Sequence, residues 1–128
     1  MTTNQPLKII VVEDEKLLLD IIDRKLKEIG INVDVYTTGE EALEKLKSAT
    51  VLPDAIWLDY HLRGMDGKEF LDKLKSDKNL KSIPVVVVSN SANDSTITKL
   101  LEAGADKYLL KAQNRLDDII QTIRELKK

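Results

Sequence analysis

Cysteine is absent from the sequence. That excludes disulfides and thiolate-bound metals and agrees with a reducing compartment such as the cytoplasm. Long hydrophobic runs are also missing: nowhere do about eighteen apolar residues follow one another, so no membrane span is expected. The opening residues, Met1 to Pro6, are polar and lack the basic-then-apolar order of a secretion signal. Neither sign of charge dominates. Twenty Lys and Arg face 22 Asp and Glu, interspersed along the chain, so no broad field favours nucleic acid or anionic lipid. What is present is the mixture of a globular protein, 42% hydrophobic and 33% charged over 128 residues. This length suits one domain with one core, residues 1–128, of which 1–6 are expected to form a flexible N-terminus.

Five short apolar runs read as strands: Lys8 to Val12, Val33 to Tyr36, Ala55 to Leu58, Val85 to Val88 and Lys107 to Leu110. Those beginning at Lys8, Ala55 and Val85 are almost wholly apolar, the pattern of strands covered on both faces in a parallel sheet. Between the runs lie helical repeats. Leu18, Ile22, Leu26 and Ile29 share one face, as do Leu116, Ile119, Ile120, Ile123 and Leu126. Shorter helices are expected over Glu40 to Lys47, Lys68 to Lys75 and Thr96 to Ala103, with Thr38 and Glu41 as a capping box for the first. Gly30 and Gly104 stand where helices should stop, and Pro84 can open the strand that follows it. Alternating strands and helices with short connections predict an α/β, doubly wound, mostly parallel sheet. In such sheets ligands bind beyond the carboxyl ends of the strands.

The residues at those ends are polar: Glu13, Asp14 and Glu15 after the first run, Asp59 after the third, Ser89 after the fourth and Lys111 after the fifth. Glu13, Asp14 and Asp59 would converge, and their mutual repulsion calls for a cation. Oxygen donors without a His or Cys partner suit Mg²⁺, which keeps waters and accepts phosphate oxygens. A carboxylate can serve as the nucleophile toward a phosphoryl group, while Lys111 and the Ser89 hydroxyl can contact the phosphoryl oxygens. Taken singly, an acidic residue after a strand is more often a turn former, Ser89 is loop chemistry and Lys111 is a solvated lysine. The joint placement at successive strand ends is what points to chemistry.

Several segments resemble the receiver domain of bacterial two-component response regulators, in its stand-alone, chemotaxis-receiver-like form. These are Ile9-Ile10-Val11-Val12-Glu13-Asp14-Glu15, Ile56-Trp57-Leu58-Asp59-Tyr60-His61-Leu62 with Gly64-Met65-Asp66-Gly67, Val85-Val86-Val87-Val88-Ser89, and Gly104-Ala105-Asp106-Lys107-Tyr108-Leu109-Leu110-Lys111. The resemblance covers Lys8 to Lys127 and implies a flavodoxin-like five-stranded sheet of order 2-1-3-4-5 with five helices. It also implies that Asp59 accepts a phosphoryl group from a phosphohistidine on a histidine kinase or histidine phosphotransfer protein. Glu13, Asp14, Asp59 and the backbone carbonyl of His61 would hold Mg²⁺, with Mn²⁺ able to substitute. Lys111 would contact the phosphoryl group, and Ser89 would hydrogen-bond it, letting Tyr108 turn inward as a switch. His61 would tune water access, and Met65 and Phe70 are expected in the core.

The sequence departs from that family at three positions. Ala112 follows Lys111 where a proline after a cis peptide is usual, Arg63 replaces a common proline and should loosen its turn, and Asn90 replaces a small residue and could narrow access to Asp59. On the resemblance, the chain is a signalling domain rather than an enzyme, although it takes part in its own Mg²⁺-dependent phosphotransfer and autodephosphorylation. Two alternatives stand beside this reading. One is a receiver-like interaction module indifferent to phosphate. The other is an aspartyl-phosphate phosphatase, which would want a carboxylic acid where His61 stands. A dinucleotide domain fits poorly because Glu13-Asp14-Glu15 would repel a cofactor phosphate. The last helical pattern uses the chain to its end, so the output is expected to be a downstream protein target or a further phosphotransfer step, with no direct nucleic-acid or membrane contact. The protein is expected to be a monomer or a phosphorylation-dependent dimer.

Overall fold

The structure, a computed structural model, describes residues 6–91 and 93–127; of the segment expected to be flexible, residues 1–5 lie outside the described residues. Strands and helices alternate: β1 (Lys8–Val12), α1 (Lys16–Glu28), β2 (Asn32–Tyr36), α2 (Gly39–Ser48), β3 (Ala55–Asp59), α3 (Gly67–Lys75), β4 (Val85–Ser89), α4 (Asp94–Glu102), β5 (Lys107–Leu110) and α5 (Leu116–Lys127), with a 3₁₀ turn (Lys111–Gln113) before α5. The five strands form one parallel sheet in the order β2-β1-β3-β4-β5, as expected for a flavodoxin-like sheet.

Burial explains which runs became central. Every residue of β3 and β4 is buried, and so is all of β1 beyond Lys8. The edge strands β2 and β5 contain no buried residue. A central parallel strand meets helices on both faces and must be apolar throughout, whereas an edge strand tolerates Asp34 or Lys107. Side chains alternate between two cores. Ile10, Val12, Ile56, Leu58, Val85 and Val87 pack with Leu43 and Leu46 of α2, Phe70, Leu71 and Leu74 of α3, and Leu100 of α4. Ile9, Val11, Ala55, Trp57, Val86 and Val88 pack with Leu19, Ile22 and Leu26 of α1 and Ile119, Ile120 and Ile123 of α5. Phe70 and Met65 join the first core as expected.

Side chains set the helix starts. Thr38 Oγ1 accepts the Glu41 N–H at 3.1 Å, its half of the expected capping box. Asp66 Oδ1 accepts the Glu69 N–H at 2.9 Å and caps α3, and Asn93 Oδ1 accepts the Thr96 N–H at 3.2 Å. The Asn93 cap is why α4 begins at Asp94, ahead of the expected Thr96. β3 and β4 each run one residue beyond the apolar stretch, to Asp59 and Ser89, because Asp59 still pairs with Val88 and Ser89 with Leu110. The chain turns out of α1 at Gly30 with φ 84° and out of α4 at Gly104 with φ 116°, conformations that favour glycine.

Candidate functional site

The carboxyl ends of β1, β3 and β5 bring the predicted charged residues together. Glu13, directly after β1, is held by its own N–H, which donates to the Tyr36 carbonyl at 3.0 Å. Its side chain is buried, and Oε2 accepts the Glu15 N–H at 3.1 Å. Asp59 is the last residue of β3 and only 4% exposed. Glu13, Asp14 and Asp59 each present a carboxylate oxygen, and these three oxygens lie within 4.8 Å of one another. Lys111 Nζ lies 3.2 Å from Glu13 Oε1 and 3.6 Å from Asp59 Oδ1.

One ammonium does not balance the two enclosed carboxylates of Glu13 and Asp59, and Asp59 shows the deficit. Burial, and then the neighbouring Glu13 charge, push its pKa from 3.8 up to about 7. The Lys111 charge and a hydrogen bond from the His61 backbone pull the other way without cancelling the rise. The missing positive charge and the all-oxygen donor set fit a hard divalent cation such as Mg²⁺.

Asp14 differs from its two companions because it faces solvent. It borders a cleft of about 330 Å³ lined also by Tyr60, His61, Leu62, Arg63 and Asp66. Its Oδ2 accepts the Arg63 backbone N–H at 3.2 Å, and Arg63 Nε stands 3.7 Å from the same oxygen. The expectation that Arg63 would loosen this turn is therefore corrected. The residue ties the β3–α3 loop to the β1–α1 loop with a donor that proline lacks. The same loop is closed by the N–H groups of Leu62 and Gly67, both donating to the Tyr60 carbonyl at 3.1 and 3.0 Å. The His61 side chain is exposed, with its ring set edge-on to Tyr60 at 4.8 Å.

Ser89 is fully buried, and its Oγ accepts the Ser91 N–H at 3.1 Å. Tyr108 is partly buried and donates its hydroxyl to the Ser91 carbonyl at 2.8 Å. Ser91 thus joins the two residues expected to act as a switch. It was not singled out in the sequence, although a serine two residues after another is a signal for local side-chain-to-backbone bonding. No cis peptide occurs among the described residues. Lys111 reaches Glu13 and Asp59 from a trans 3₁₀ turn, which is steadied by Asn114 Nδ2 donating to the Leu110 carbonyl at 3.0 Å. Asn90 is exposed.

Comparison with known proteins agrees with this geometry. The sequence matches the response regulator receiver domain over residues 9–124. The chain belongs to this family. The receiver domain is 33% identical over 104 residues to the phosphate regulon transcriptional regulatory protein PhoB of Rhizobium meliloti, covering 81% of this chain and 45% of that protein. Among solved structures it is similar to the phosphorylated cyanobacterial phytochrome response regulator RcpA, with 33% identity, a TM-score of 0.79 and coverage of 94% of this chain and 91% of that one. It is also similar to the Mn²⁺-bound form of response regulator Rcp1, with 29% identity, a TM-score of 0.77 and the same coverage. The receiver domain spans between 13% and 45% of three curated relatives that it matches, and 85% of a fourth. Family membership makes the chain a phosphoacceptor signalling domain of the two-component class. No described helix is long and apolar enough to cross a membrane.

Proposed function

We propose that Asp59 is the phosphoacceptor of this receiver domain and that Glu13, Asp14, Asp59 and the His61 carbonyl hold a Mg²⁺ ion. The observation that carries the reading is the buried Asp59 carboxylate, clustered with Glu13 and Asp14 within 4.8 Å and paired with Lys111 at 3.6 Å. A carboxylate oxygen of Asp59 attacks the phosphorus of a phosphohistidine, the P–N bond breaks and the imidazole leaves with the electron pair. Mg²⁺, when bound, supplies the positive charge that keeps Asp59 ionised and offsets the charge on the phosphoryl oxygens. Lys111 is already poised at Asp59 and turns its ammonium to a phosphoryl oxygen.

The Ser89 hydroxyl accepts from Ser91 and keeps its own proton available for the phosphoryl group. Drawing Ser89 toward that group pulls on Ser91 and, through the Ser91 carbonyl, on Tyr108. A local charge at Asp59 thus reaches the β4–α4 and β5 surface. The donor is a histidine kinase or histidine phosphotransfer protein, the reader is a downstream protein, and the protein works in the cytoplasm. Rcp1 in its Mn²⁺-bound form supports Mn²⁺ as a substitute metal.

The test is intact-protein mass after incubation with acetyl phosphate, with and without Mg²⁺. A Mg²⁺-dependent gain of one phosphoryl mass in the wild type, absent from Asp59→Asn, is expected. No gain in the wild type, or an equal gain in Asp59→Asn, overturns the assignment.

A further inference from the structure

Two carboxylates of the cluster are enclosed and share the Lys111 ammonium. Asp14, the one that opens on the cleft, carries a different cation: Arg63, whose side chain is 92% exposed. The two groups that Arg63 presents differ in kind. Its backbone N–H is fixed, because the loop is pinned on either side. Leu62 and Gly67, one before and one after Arg63, both donate their N–H groups to the Tyr60 carbonyl, and Gly64 adopts φ 72°. The guanidinium is solvated and loosely placed, with Nε 3.7 Å from Asp14 Oδ2.

We infer that Arg63 is a gate on Asp14. Its fixed N–H orients the carboxylate, while its guanidinium offsets the charge of that carboxylate and opposes divalent-cation entry, so the arginine side chain lowers the affinity of the acidic cluster for Mg²⁺. The inference rests on the reading that Glu13, Asp14 and Asp59 form a cation site. It concerns a residue that touches only one of the three. A proline at position 63 would lack both groups, and an alanine would lack only the charge. The two contributions are therefore separable.

The experiment is a Mg²⁺ titration of the unphosphorylated full chain, followed by calorimetry and by the fluorescence of Trp57. This is the only tryptophan in the chain, two residues before Asp59 on β3. Arg63→Ala is expected to bind Mg²⁺ about two- to fivefold more tightly at low salt, the range set by an exposed ion pair. Arg63→Lys stays near the wild type, and Arg63→Pro gains less than Arg63→Ala because Asp14 loses its fixed donor. The advantage of Arg63→Ala shrinks with added NaCl, since the screening length falls from about 10 Å at 0.1 M to about 3 Å at 1 M. In an Asp14→Asn background the Ala substitution at position 63 has no effect.

Equal or weaker binding by Arg63→Ala overturns the gate while leaving the cation site standing. Tightening by Arg63→Lys as large as that by Arg63→Ala, or undiminished tightening in the Asp14→Asn background, does the same. Absence of Mg²⁺ binding in the wild type and every variant overturns the cation site and the gate together.

Discussion

Asp59→Asn tests the electrostatic account directly, because the substitution keeps the shape of a buried side chain and removes its titration. In the folded domain the Asp59 carboxyl titrates at about 7, against an ordinary value of 3.8. Between those values the folded state holds a proton that the unfolded chain has released. The contribution of Asp59 to stability is thus fully present below about pH 3.8. It is lost as pH rises from there and is gone above about pH 7. At about 1.36 kcal/mol per pH unit, the whole loss is about 4 kcal/mol.

Asparagine cannot ionise and escapes the loss. Its buried amide still gives up about 1–3 kcal/mol wherever its hydrogen bonds are incomplete. The expected result is a variant about 1–3 kcal/mol more stable than the wild type at pH 8, with the difference falling through zero and reversing sign toward pH 4, where only the cost of the amide remains. Urea denaturation followed by Trp57 fluorescence, in EDTA and at intervals from pH 4.5 to 8.5, measures it. Parallel pH profiles for the two proteins, or a variant less stable at pH 8, would refute the idea that burial and the Glu13 charge hold Asp59 near pH 7.

Mg²⁺ at tenfold excess over its dissociation constant should stabilise the wild type by about 1.4 kcal/mol, through preferential binding to the folded state. The same denaturation assay should find no such gain in Asp14→Ala. Lys111→Ala removes a charge that lowers the Asp59 pKa, so the carboxyl midpoint followed by carbon NMR should move upward; a downward move would place Lys111 away from the site. Asp66→Ala deletes the cap of α3 and should cost about 1 kcal/mol of unfolding free energy, and an unchanged urea midpoint would show that the cap is dispensable. Tyr108→Phe loses the bond to the Ser91 carbonyl and should cost about 1 kcal/mol, again read from the urea midpoint.

Much of this molecule is written locally. The apolar runs at Ile9–Val12, Ala55–Leu58 and Val85–Val88 read as strands covered on both faces, because period and composition are properties of adjacent residues. The helical faces of α1 and α5, and the polar residues just beyond each strand, were legible for the same reason. Once the alternation implied a parallel sheet, Glu13, Asp14, Asp59 and Lys111 had to meet at one end.

Tertiary structure decided what depends on distant partners. The raised pKa of Asp59 follows from burial and from Glu13, which stands just beyond the end of another strand. The trans turn after Lys111 delivers its ammonium without the proline usual in the family. Ser91 became a junction only when Tyr108 of β5 came to lie against it. Arg63, which reads in sequence as a looser turn, ties two loops together because folding sets its N–H opposite Asp14. Local pattern determined the scaffold, whereas electrostatic and hydrogen-bond partners far apart in the chain, acting over a few ångströms, determined the state of the site.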